Sequence, residues 1–164
     1  MVKPGEHPDF YRIAPPAGTS RESTIVLDRE GTFWHDGGRV DHPALSRALR
    51  SWIARHPDDG RFILTNGYDW CYFRVDDAPH QVDALRVEGD GVTLGLAGGD
   101  EEALEPSTLA VGDDGVVYAK VKGGAYEARF SRHAQTQLAP LLTQAEPPRV
   151  SIAGRDYQLG PRKA

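Results

Sequence analysis

Cysteine is almost missing from this chain of 164 residues: Cys71 stands alone, so an internal disulfide is excluded and an inert buried thiol is the expected state. Long apolar runs are missing as well. Stretches such as Phe62-Ile63-Leu64 fall far short of the roughly 20 residues that cross a bilayer, and the opening MVKPGEHPDF lacks the apolar centre of a signal peptide. The expectation is a cytoplasmic protein with no membrane attachment. Basic charge is in deficit, with 19 Lys and Arg against 24 Asp and Glu, a net charge of −5 and no long basic cluster, so nucleic acid is not an expected partner. Neither a phosphate loop nor a dinucleotide fingerprint is present, and no cofactor is expected.

What the chain does have is turn residues. Eighteen glycines and 12 prolines predict many turns and short strands, hence an α+β fold that is mainly β. Residues 1–23 hold Pro4, Pro8, Pro15 and Pro16 and read as an extended lead-in, with Phe10, Tyr11 and Ile13 as anchors to the body. Strands are predicted over 25–28 and 32–36, with turns at Arg29-Glu30-Gly31 and Gly37-Gly38. Asp41 then reads as the cap of a helix that starts near His42 and ends at Pro57. Leu45, Ala48, Leu49, Trp52 and Ile53 recur at helical spacing and predict one buried face. Asn66-Gly67 predicts a hairpin joining strands 61–65 and 68–75, and Gly89-Asp90-Gly91 joins strands 81–88 and 92–97. Gly98 to Pro106 reads as a polar crossing.

From Ser107 the plan returns: a hairpin around Gly112–Gly115, strands 116–122 and 125–130, and a helix capped by Ser131 that kinks or stops at Pro140. Setting Gly31 against Gly115 aligns Phe33-Trp34 with Val117-Tyr118. The expectation is therefore two related halves, 24–97 and 98–164, each of antiparallel hairpins plus one amphipathic helix. A small hairpin over 149–159 closes the chain, and Pro161-Arg162-Lys163-Ala164 reads as a frayed basic end.

Candidate sites follow from where aromatic and charged residues share strands. Trp34 and His35 in the first half, with Tyr118, Lys120, Glu127 and Arg129 in the second, would line a groove if the halves face each other. Against that, Trp34 and Tyr118 have the pattern of core residues, and Glu127 with Arg129 that of an ion pair on one face. His35, Asp36, Asp41 and His42 are metal-ligand types, but neighbours on a strand point apart and Asp41 is spent as a cap, so no metal site is expected. The leading expectation is a non-enzymatic binding or regulatory module for a protein, peptide or small molecule. A small hydrolase or transferase using His35 or Cys71 is the alternative, and a purely structural homo-oligomer joined through sheet edges, such as a homodimer, is the third reading.

The segments Gly31-Thr-Phe-Trp-His-Asp-Gly37, Val75-Asp-Asp-Ala-Pro79 and Val121-Lys-Gly-Gly-Ala-Tyr-Glu-Ala-Arg-Phe-Ser-Arg132 resemble, in that order, a bacterial family called domain of unknown function 1285. The resemblance spans roughly Ile25 to Leu142. It implies a two-part fold with repeated β-plus-helix motifs and a role proposed to lie in signal transduction, and it brings no catalytic residues. His80 departs from it, standing where an apolar aromatic residue is expected, as does Asn66-Gly-Tyr-Asp-Trp70.

Overall fold

The computed structural model describes residues 3–163 and is α+β, mainly β. Met1, Val2 and Ala164, at the two ends of the expected lead-in and tail, lie outside the described residues. Contacts divide the chain into two compact units, Met1–Asp76 and Asp77–Ala164.

The first unit runs β1 (Val26–Leu27), β2 (Phe33–His35), β3 (Gly38–Arg39), α1 (Pro43–Ser51), β4 (Ile53–Arg55), β5 (Phe62–Thr65), β6 (Trp70–Tyr72) and β7 (Arg74–Val75). These make two sheets, ordered β3-β2-β1-β7 and β4-β5-β6, with β7 parallel to β1. Gly38, read as a turn, is paired with His35, because the reversal falls on Asp36 and Gly37 with φ of 51° and 78°. The α1 boundaries also differ from the sequence reading. His42 rather than Asp41 is the cap, its Nδ1 accepting the Leu45 N–H, while Asp41 pairs with Arg39. The helix stops at Ser51 because the next residues pair as a strand, Ile53 with Leu64 and Arg55 with Phe62. Cross-strand pairing of a β-branched residue overrides the helical spacing that carries Ile53 onto the same stripe. Leu49 is buried, Trp52 half-buried and Leu45 exposed, so the stripe is only partly covered.

The lead-in is fastened to this unit. Phe10 is buried with Ile63 and Trp70, whereas Ile13, the third expected anchor, is exposed. Gly5 N–H donates to the Gly67 carbonyl (2.8 Å), and a Cβ at Gly5 would sit 3.0 Å from that oxygen, so only glycine allows the approach. Further on, Tyr72 N–H donates to the Arg21 carbonyl and Ser23 Oγ donates to the Tyr72 carbonyl, which covers the free edge of β6.

The second unit holds β8 (His80–Glu88), β9 (Gly91–Leu96), β10 (Glu101–Ala103), β11 (Ala110–Val111), β12 (Val117–Val121), β13 (Tyr126–Phe130), α2 (Arg132–Leu138), β14 (Leu142–Thr143), β15 (Arg149–Ile152), β16 (Arg155–Gln158) and β17 (Gly160–Pro161). Seven strands form one sheet, ordered β10-β9-β8-β13-β12-β11-β17, and β14-β15-β16 form another. The β8–β9 hairpin, placed with the first half on sequence, belongs here through the parallel pairing of β8 with β13. The acidic crossing contains an edge strand, β10. From it the Glu102 carboxylate accepts the Lys122 N–H, while Thr108 Oγ1 accepts the Lys120 N–H, so one donor in β12 and one just after it, both beyond the short ladder with β11, are satisfied by side chains. His80 is buried edge-to-face on Tyr126, taking the aromatic place expected there.

Strands β11-β12-β13-α2-β14-β15-β16-β17 follow the order of β1-β2-β3-α1-β4-β5-β6-β7. The registers also correspond: Trp34 lies between Val26 and Arg39, Tyr118 between Ala110 and Arg129, and both β7 and β17 add in parallel. Ser131 caps α2 as expected, accepting the Ala134 N–H and donating to the Asp83 carbonyl, and α2 gives way to a 3-10 turn at Pro140. Ser131→Ala should cost about 1 kcal/mol in denaturant unfolding; no measurable loss would mean that water replaces both bonds.

Candidate functional site

The residues singled out on sequence divide between structural work and open surface. In the first unit, Asp28 organises the β1–β2 turn: its Oδ1 accepts the Glu30 and Thr32 N–H groups and its Oδ2 the indole N–H of half-buried Trp34 (2.9 Å). His35 is exposed, with Asp36 at 3.5 Å.

In the second unit, Tyr118 is buried and donates its hydroxyl to Asp77 (2.7 Å), while Lys120 is exposed on the same strand. Glu127 and Arg129 belong to a wider network. The Arg162 guanidinium donates to Glu127 (2.6 and 3.2 Å) and to Asp77 (2.7 Å), and lies 3.8 Å from the centre of the Tyr118 ring; Arg129 approaches Asp77 at 3.7 Å. Arg162 is thus the anchor of β17 and no frayed end, and its N–H adds to the ladder at the Val111 carbonyl. Burial, then the Asp77 carboxylate, push the Tyr118 hydroxyl up to about 12, and the two carboxylates hold the Arg162 guanidinium charged. The network is two cations against two carboxylates, satisfied from within.

Cys71 is half-buried, and burial pushes its thiol up. Ser23, Asp69, Arg21 and the Leu64 backbone are the groups that act on it, so the thiol stays protonated and poorly nucleophilic. Among the described residues no group of three or more His, Cys, Asp or Glu could hold a metal ion, and no helix is long and apolar enough to cross a membrane.

A concave site does exist in the first unit, and sequence reasoning missed it. A pocket of about 180 Å³ has apolar walls of Ile25, Leu49, Trp52, Leu64 and Trp70, with Cys71 beside them and the exposed Asn66 and Asp69 as its polar members. It forms because Thr65 pairs with Trp70 across a four-residue turn, wider than the two-residue turn read from Asn66-Gly67. Asn66 Oδ1 accepts the Tyr68 and Asp69 N–H groups to fix that turn, and Tyr68 on it is 61% exposed. The walls come from β6, α1, β5 and the chain before β1, and no local pattern joins them. The one available signal is the apolar α1 stripe, which continues past Leu49 to an exposed Leu45.

Two solved structures share this architecture. A DUF1285 family protein from Silicibacter pomeroyi superposes with a TM-score of 0.70 at 21% identity, covering 92% of each chain. The fold is that of the DUF1285 proteins. A second DUF1285 family protein, from Shewanella baltica, gives a TM-score of 0.60 at 14% identity over 74% of this chain and 94% of its own. No family model matches the chain, and no curated protein matches it either. The DUF1285 likeness fits the segments of resemblance, and His80 and the Asn66–Trp70 turn, the departures from it, are accommodated in the same fold.

The lead-in reaches the pocket through Trp70, and its ties are titratable. Guanidinium hydrogen bonds from Arg61, Arg12 and Arg21 hold Glu22, Asp58 and Asp69 below the usual carboxylate range. Because these folded values lie below the unfolded ones, their stabilisation is present above about pH 4 and is lost as pH falls through the depressed values. Acidification from about pH 5 toward pH 2 should therefore loosen residues 5–22 before the rest of the unit, read by their amide exchange. Simultaneous loss of every amide would contradict it.

Proposed function

We propose that this chain is a non-catalytic binding or regulatory module of the DUF1285 type, built as a tandem repeat, that captures one apolar side chain of a partner protein in the first-unit pocket. The observation that carries the reading is the pocket's size and setting. A cavity of about 180 Å³ is smaller than the roughly 300–1,000 Å³ of cofactor-sized sites but suits a single leucine or aromatic side chain. Exposed Leu45, one helical turn from Leu49, and exposed Tyr68, on the turn between Asn66 and Asp69, offer further apolar surface, which favours a macromolecular partner over an isolated small molecule. Asn66 and Asp69 offer the partner's backbone polar contacts at the opening. The tandem repeat is supported by the shared element order and strand registers. A signalling role in the cytoplasm belongs to the same proposal; a single half-buried thiol suits a reducing compartment.

The test is titration of labelled protein with the N-acetyl amides of leucine, phenylalanine, tryptophan and lysine, followed by NMR. The apolar amides should shift the signals of Leu49, Leu64 and Cys71 with dissociation constants on the order of 1 mM, and the lysine amide should not. Cys71→Met, which fills the cavity from its wall, should abolish those shifts while leaving the fold intact. Binding of free indole without any of the amides would point to a small-molecule site, and no shift at the pocket would remove the reading altogether.

A further inference from the structure

Resting on that pocket reading, we infer that the lead-in is a strap whose docking completes the pocket, so that occupation of the pocket and closure of the strap favour each other. Trp70 is the shared part. Its ring forms a pocket wall, its indole N–H donates to the Phe10 carbonyl (3.3 Å), and the Arg21 guanidinium covers it 4.6 Å from the ring centre. Arg21 also donates to the Trp70 carbonyl (2.9 Å), to the Asp69 carboxylate and to the Ile13 carbonyl (3.3 Å). Two adjoining members of the pocket, Asp69 and Trp70, are therefore gripped by residues 10–21.

The strap is also built to open. Its outer ties, Arg12 to Asp58 (3.0 and 2.7 Å) and Glu22 to Arg61 (2.9 and 3.0 Å), lie in solvent, where ion pairs are weak and screened by salt. The Arg21 Nε is buried without a hydrogen-bond partner, so docking carries a desolvation cost that release returns. Opposing these are buried Phe10 and His56, whose Nδ1 accepts the Asp58 N–H and whose Nε2 meets the Tyr11 carbonyl (3.0 Å). A few buried anchors with exposed outer ties describe a segment that opens locally before the unit unfolds. Coupling between two such events is reciprocal: an occupant that uses the Trp70 wall must hold the strap down.

The experiment uses the full chain and N-acetyl-phenylalaninamide as the probe. Saturating probe should slow amide exchange at Gly5, Phe10 and Arg12, and Arg12→Glu, which loosens the strap from outside, should weaken probe affinity by about fivefold or more, the lower end of typical couplings. Phe10→Ala supplies a second loosening, from inside, if Arg12→Glu proves disruptive. Unchanged affinity in a variant whose strap amides exchange fast overturns the coupling while leaving the pocket standing. Failure of the probe to shift Leu49 and Leu64 in the unaltered chain removes the pocket reading, and the coupling with it.

Discussion

Asp77→Ala should destabilise the second unit by about 3 kcal/mol, measured as a lower denaturant midpoint with unchanged slope. Asp77 accepts from Tyr118 and Arg162 and faces Arg129, and its side chain is 16% exposed against 15% for Arg129 and 25% for Arg162. Removing it leaves two guanidinium groups with one carboxylate and a buried hydroxyl with no acceptor. Breaking a fully buried pair costs about 3–5 kcal/mol, and the residual solvent access of this one places it at the low end. Asp77→Asn should cost less, since the amide oxygen still accepts from Tyr118. A spectroscopic signature accompanies the loss. The Tyr118 hydroxyl is pushed up to about 12, first by burial and then by Asp77, and removal of the carboxylate should bring it down. Because its folded value lies above the unfolded one near 10, the stabilisation it gives is complete below about pH 10 and is lost as pH rises through about 12. A loss under 1 kcal/mol would show that water takes the place of the carboxylate.

That network shows where reading the sequence stops. Tyr118 is legible as a core residue from its strand pattern, and Ser131 with Pro140 fixes α2 within a few residues, because caps and proline act locally. Arg162 is opaque: its partners lie 35 and 85 residues away, so a short basic stretch at the end of the chain looks like a solvated tail. Glu127 and Arg129 share a face of β13, as the spacing says, but Asp77 and Arg162, which join them in one network, come from outside that strand. The end of α1 fails for a related reason. Helical spacing at Trp52 and Ile53 is real, but pairing of Ile53 with Leu64 decides the backbone, and that partner is set by the hairpin that follows. The pocket inherits this problem, since its walls are assembled from four separate stretches. Of the six residues proposed on sequence, Tyr118, Glu127 and Arg129 meet in one network, Trp34 is bound to Asp28, and His35 and Lys120 remain on the surface.

Phe10→Ala is expected to cost about 3–5 kcal/mol if the strap and its unit unfold together, because the ring is 6% exposed, shares a cluster with Ile63 and Trp70, and meets Tyr11 edge-on at 4.9 Å. A strap that opens locally gives a different pattern. With the ring gone, the remaining inward ties are the Gly5 N–H on Gly67, the half-buried Tyr11 ring against His56 and Trp70, and the carbonyls of Phe10 and Tyr11, so residues 5–13 should detach before the body yields. Global stability would then fall by less than the cavity cost, while the amides of Gly5, Phe10 and Arg12 move to fast exchange and Trp70 emission shifts to the red as its indole N–H meets solvent. Phe10→Leu, which keeps much of the volume, should preserve both protection and emission with a loss near 1 kcal/mol. The two patterns separate cleanly. A full 3–5 kcal/mol loss with the strap amides protected to the end would make the lead-in an ordinary part of the core, and the pocket would then be a fixed feature of the first unit with nothing to close it.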